Sequence, residues 1–196
     1  MAYERIHTSL SKGIETITLD YGPTLNALDM VMAGELAEAL EEAEGNPEVK
    51  VLVLAGAGRA FSAGGDIRYM KAHCDEPDFS KKSMAPLAGK LSEIVLYMKK
   101  MRKIIICAVA GAAAGGAANL AFACDFIFAA DDAKFLQAFV GIGLCPDTGG
   151  VYFLPRMVGS HRAFDMFVTG RPVKAEEAKE MGLVKQVTSR DRKSVV

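Results

Sequence analysis

Strands that read as buried, alternating with amphipathic helices, predict an α/β fold with right-handed crossovers. Three features of the sequence carry this. Two short unbroken apolar runs, residues 51–55 and 104–109, have the composition of strands covered on both faces. Each run opens into a turn crowded with Gly and Ala. Each turn gives way to a segment with helical spacing of its apolar residues.

Taken in order, residues 13–19 alternate apolar and polar side chains, as a half-buried strand does. Over 29–44 the apolar Met32, Leu36, Leu40 and Ala43 recur at helical spacing, and Asp29 is placed to cap the start. The run 51–55 follows, then a glycine-rich loop, 56–66, that ends on Asp66 where the next helix opens. Residues 73–84 are polar and interrupted by Pro77, which predicts a mobile loop. A helix over 88–102 places Leu91, Ile94, Val95 and Met98 on one face. The outline then repeats: the run 104–109, a Gly/Ala turn over 111–119, and a small-residue helix through Cys124. A third strand, 126–129, precedes Lys134, Phe135 and Leu136, and helical segments 164–169 and 175–181 flank Pro172. The end, 189–196, has no apolar helical face, so the expectation is one domain over 1–188 and a polar tail over 189–196.

Composition narrows the function. The chain has 196 residues, 51% hydrophobic and 24% charged, which excludes a largely disordered chain and leaves ample apolar surface for a core. A net charge of -1 offers no basic field to hold nucleic acid or an anionic membrane. No apolar run approaches the roughly 18 residues that span a bilayer. The N-terminus lacks the charged-then-apolar order of a signal peptide, so a cytoplasmic location is expected. The four cysteines show no metal-ligand spacing, and Cys107, Cys124 and Cys145 sit among apolar or small neighbours, where a thiol usually serves as a small core hydrophobe. His7, His73 and His161 lie in three different neighbourhoods, and tryptophan is absent. Chemistry must therefore rest on carboxylates, backbone groups or a bound cofactor.

Gly/Ala turns let backbone N–H groups approach a ligand, and two amides from two loops would make an oxyanion hole. The amides of Ala63 and Gly116 are the candidates; tight strand–helix packing is the other reading of the same residues. Neither loop matches the dinucleotide or P-loop glycine pattern. A third loop, 143–150, sets Asp147 between Pro146 and two glycines. A buried carboxylate there would have a raised pKa and could shuttle a proton, while the same residues also suit a plain helix N-cap. Asp66 and Asp125 read as capping or turn residues. Lys99, Lys100, Arg102 and Lys103 cluster at a helix end, where the dipole favours cations, with a grip on phosphate as the second reading.

Together these stretches resemble the crotonase superfamily, the enoyl-CoA hydratase/isomerase enzymes. The resemblance runs in order through Asn26-Ala27-Leu28-Asp29, Ala60-Phe61-Ser62-Ala63-Gly64-Gly65-Asp66, Ala114-Gly115-Gly116, Cys124-Asp125, Pro146-Asp147-Thr148-Gly149-Gly150, Leu154-Pro155-Arg156 and residues 176–184. It implies a spiral of ββα turns, assembly as a homotrimer or dimer of trimers, and an acyl-CoA substrate. No further cofactor is implied, CoA being part of the thioester, and no metal. It also implies that Ala63 and Gly116 donate to the thioester oxygen, with Leu25, Ala27, Ala63, Gly64, Gly65, Asp66, Ile67, Gly116 and Phe139 in contact with substrate. Relatives commonly extend some dozens of residues beyond the match to Val184, so the C-terminal helical part is expected to be cut short here.

Hydratases of this family carry two glutamates, and the matching positions here hold Asn119 and Phe139. Asp147 falls where the phenylacetate-degradation isomerase branch carries its aspartate. Dienoyl-CoA isomerases pair that aspartate with a second acid at the position of Phe139, and aryl-CoA dehalogenases place a tryptophan there. The resemblance therefore implies a double-bond isomerase with Asp147 moving the proton. An enoyl-CoA hydratase and a non-catalytic acyl-CoA binder are the alternatives.

Overall fold

The computed structural model describes residues 3–190. Its main sheet has six strands: β1 (Ile6–Ser11), β2 (Ile14–Leu19), β3 (Val51–Gly56), β4 (Ile104–Val109), β6 (Phe126–Ala130) and β9 (Gln186–Thr188), in the order β1-β2-β3-β4-β6-β9. β1 runs antiparallel to β2, and every other pairing in that sheet is parallel. A second sheet of three short strands, β5 (Ala112–Ala114), β7 (Lys134–Leu136) and β8 (Val173–Lys174), is ordered β5-β7-β8.

Seven α-helices connect the strands in the described residues: α1 (Met30–Gly45), α2 (Ile67–His73), α3 (Ala85–Met98), α4 (Gly116–Phe122), α5 (Gly150–Val158), α6 (Ser160–Thr169) and α7 (Ala175–Glu180). The periodicity of the sequence maps directly onto burial. α1 buries Met32, Leu36, Leu40 and Ala43, and Asp29 accepts the Met32 N–H at 2.8 Å, the expected cap. α3 buries Leu91, Ile94, Val95 and Met98, although it ends at Met98 rather than Arg102. Every residue of α4 is buried; its small side chains let this helix lie wholly inside the core.

The structure corrects two expectations and adds two elements that the sequence pattern does not show. Residues 73–84 are not one loop, because a helical turn, Ser80–Met84, leads into α3. β1 escapes pattern reading because Ile6 alone is buried along it. A two-residue turn with positive φ at Lys12 and Gly13 joins it to β2, as type I′ hairpins require. α5 escapes because it starts on glycine and contains Pro155. Cys107 and Cys124 are buried as expected, whereas Cys145 is exposed. Three of the four residues of the basic cluster are committed to structural partners: Lys99 pairs with Asp125, Arg102 with Glu44, and Lys103 donates to the Ala43 and Asn46 carbonyls. No helix among the described residues is long and apolar enough to cross a membrane. The predicted tail, 189–196, lies outside the described residues from 191 onward.

Candidate active site

The two glycine-rich turns are laced edge to edge. Ser62 N–H donates to the Ala112 carbonyl (3.0 Å), and Ala114 N–H donates back to the Ser62 carbonyl (3.1 Å). A Cβ on Gly64, whose φ is +81°, would stand 2.5 Å from the Ala114 carbonyl oxygen, so the approach requires glycine there. Asn26 holds the outer flank. Its buried side-chain amide donates to the carbonyls of Ala57, Ala60 and Phe61, and its own carbonyl accepts the Ser62 hydroxyl at 2.6 Å. Asp66 closes the loop by capping α2, accepting from the Arg68 and Tyr69 N–H groups.

This lacing corrects one assignment. The Ala63 N–H donates to the Leu25 carbonyl at 2.9 Å, so that amide is already engaged in the fold. Two residues on, the Gly65 N–H has no acceptor among the described residues. Gly116 begins α4, where an N–H lacks an intrahelical partner, and it too has no acceptor among the described residues. The free pair of amides is Gly65 and Gly116.

Both glycines line a narrow cavity of about 60 Å³, together with Ala63, Gly64, Ile67, Leu91, Phe139 and Asp147. Asp147 is the one titratable side chain in that lining. A Cβ built on Gly116 would lie 3.7 Å from Asp147 Oδ1, so carboxylate and helix start are immediate neighbours. Burial raises the Asp147 pKa above the usual carboxylate range; the Thr148 hydroxyl, donating to Oδ1 at 2.8 Å, and the residue's own backbone N–H pull the other way. The remaining predicted contacts fall in an adjoining cavity of about 160 Å³ lined by Leu25, Ala27 and Asp66, with Ala63, Gly65 and Ile67 shared between the two. A larger space of about 370 Å³, bounded by Val31, Tyr69, Met70, Met84 and Leu87, meets the first cavity at Met70, Met84 and Leu87.

Asn119 behaves as a structural group, and Phe139 is an apolar wall of the cavity. Asn119 is fully buried, with Nδ2 donating to the Asp147 carbonyl (2.8 Å) and Oδ1 accepting from Gln137 Nε2 (2.8 Å). Phe139 is 7% exposed and lies against the backbone of Gly115. Asn26, Gln137 and Thr148 are the supporting residues that pattern reading passes over. Each is a polar residue in a loop, and only its complete burial marks it.

Strands feeding Gly/Ala turns here leave two amides unpaired beside an acid, an arrangement chemically able to hold a carbonyl oxygen on which charge develops. The chain belongs to the enoyl-CoA hydratase/isomerase family, whose model matches residues 9–194. It is 38% identical over 189 residues to 1,2-epoxyphenylacetyl-CoA isomerase of Escherichia coli, covering 94% of this chain and 70% of that protein. It is 34% identical over 187 residues to trans-2-decenoyl-(acyl-carrier-protein) isomerase of Streptococcus mutans, covering 95% of this chain and 70% of that protein. The crystal structure of an enoyl-CoA hydratase from Mycobacterium avium subsp. paratuberculosis superposes with a TM-score of 0.85 at 30% identity, covering 97% of this chain and 70% of that one. The fold is therefore that of the crotonase enzymes. The names of these similar proteins are divided between hydration and isomerisation.

Proposed function

We propose that this chain is an acyl-CoA isomerase that shifts a carbon–carbon double bond, with Asp147 as its single proton-transfer group. One observation carries the reading. The cavity shared by Gly65 and Gly116 is lined by one titratable side chain, while the two positions that serve hydratases hold an engaged amide, Asn119, and an apolar ring, Phe139.

In the proposed reaction the thioester oxygen of a 3-enoyl-CoA accepts hydrogen bonds from the Gly65 and Gly116 amides. Asp147 removes a proton from C2, and the electron pair moves into the thioester to give an extended enolate. Negative charge then grows on the oxygen that the amides already face; each such donor is worth about 3 kcal/mol of barrier. The carboxylic acid returns its proton to C4, the double bond forms between C2 and C3, and Asp147 is ionised again. Partial burial holds its pKa above that of a free carboxylate, which suits a group that must both take and release a proton. The CoA portion would lie along Leu25, Ala27, Asp66 and Ile67, and the acyl group would enter the 370 Å³ space beyond Met70, Met84 and Leu87. No other cofactor is required by these steps. Trimeric assembly belongs to the same proposal, and the exposed apolar Val151, Tyr152, Phe164 and Val168 on α5 and α6 support it.

The test is to incubate the protein separately with a 3-enoyl-CoA and a 2-enoyl-CoA and follow products by chromatography and mass, with Asp147→Asn alongside. Mass-neutral conversion of the 3-enoyl substrate, lost in the variant, is expected. A gain of one water on the 2-enoyl substrate that survives Asp147→Asn would overturn the reading.

A further inference from the structure

Thr148 is held in a conformation that its side chain opposes. It is a β-branched residue at φ +48°, in the left-handed region, and it is 1% exposed. Such strain persists only where the surroundings impose it. Here they do. The Asp147 carbonyl accepts both the Asn119 side-chain amide and the Gly150 N–H, each at 2.8 Å, and Gln137 fixes Asn119 from the other side. A Cβ on Gly150 would stand 2.4 Å from Asn119 Nδ2, so the amide occupies the space beside the turn completely.

The Thr148 hydroxyl in this conformation donates to Asp147 Oδ1 at 2.8 Å. We propose that Thr148 is a positioning residue that fixes Oδ1 and leaves Oδ2 as the oxygen that takes and returns the proton, with the Asn119–Gln137 pair as the staple that holds it there. The proposal rests on Asp147 being the proton-transfer group. Among the described residues no other titratable side chain lines the cavity, and the groups that approach the turn from neighbouring elements (Asn119 of α4, Gln137 after β7, Leu91 of α3) are uncharged. The hydroxyl therefore acts on the carboxylate without a competing charge.

A hydrogen bond donated to a carboxylate favours its ionised form. Removing the hydroxyl raises the Asp147 pKa further and frees the carboxylate to rotate. The experiment compares Thr148→Ser, Thr148→Val and the unaltered protein in 3-enoyl-CoA isomerisation across pH. Valine keeps the β-branched shape without the donor. It is expected to move the acid limb of kcat to higher pH and lower kcat about tenfold with KM within twofold, and serine is expected to restore both. A purely structural role would lower the melting temperature of the valine variant and leave the acid limb where it was, which overturns the proposal. A second readout does not depend on turnover: the Asp147 carboxyl titration by 13C NMR in protein labelled at aspartate, assigned with Asp147→Asn. A titration unchanged by Thr148→Val also overturns the proposal. Absence of isomerisation in the unaltered protein, with the carboxyl titration still shifted by valine, overturns the isomerase reading and keeps the assignment of Thr148.

Discussion

Removing the Gly116 N–H without removing the helix it starts would isolate one half of the proposed oxyanion site. Gly116 is the first residue of α4, the helix position where proline is best tolerated, because the missing N–H had no intrahelical partner. Gly116→Pro deletes the proposed donor and adds side-chain atoms; Gly116→Ala adds a Cβ alone. That Cβ would meet Thr148 Oγ1 at 3.3 Å and Asp147 Oδ1 and Leu91 Cδ1 at 3.7 Å, so alanine asks its neighbours to give by only a few tenths of an ångström. Proline shares that Cβ and also sets its Cδ where the N–H pointed, so the ratio of their rates reports the loss of the donor together with the blocking of the place it faced. One oxyanion donor is worth about 3 kcal/mol, so Gly116→Pro should turn over 3-enoyl-CoA some 10²–10³-fold more slowly than Gly116→Ala. The assay is steady-state formation of the 2-enoyl product, with urea unfolding run in parallel to show that both variants stay folded. Equal rates in the two folded variants would refute the role of this amide.

Three other outcomes follow from the same geometry. Asp147→Asn should abolish isomerisation yet be more stable than the unaltered protein at neutral pH. The raised Asp147 pKa makes its ionised form a liability in the folded state, fully relieved below the unfolded pKa and felt as pH rises through the folded one; the stability gap measured by urea unfolding should therefore close on acidification. Asn119→Ala strips partners from Gln137 Nε2 and from one bond to the Asp147 carbonyl, at a cost of about 2–4 kcal/mol in denaturant unfolding; an unchanged midpoint would contradict the staple. Leu36→Ala, in the fully buried face of α1, should cost about 2–5 kcal/mol and lower the melting temperature by about 5–15 °C, as scanning calorimetry would show.

The main elements were legible because their burial is periodic. Leu36, Leu40, Leu91 and Ile94 recur on one helical face each, and the β3 and β4 runs are apolar throughout. β1 and α5 were not, because an edge strand with one buried residue and a helix that begins on glycine carry no periodic signal. At the candidate site, the turns and Asp147 stand out by composition, and the family resemblance names their order. The register of the first amide does not stand out. Ala63 and Gly65 are equally small, and what separates them is a single hydrogen bond from Ala63 to Leu25, across a turn in which Leu25 and Asn26 both have positive φ. Thr148 was passed over for a similar reason, since its conformation is imposed by Asn119, a residue 29 positions earlier in the chain.

The central claim is that one carboxylate both removes and returns the proton. The direct test is a single turnover of 3-enoyl-CoA carrying deuterium at C2, with the position of the label in the product read by NMR. The account predicts deuterium at C4 of the 2-enoyl product from the unaltered protein and no product from Asp147→Asn. Product that carries only solvent hydrogen at C4 from the first turnover, at a rate that Asp147→Asn leaves unchanged, would contradict it.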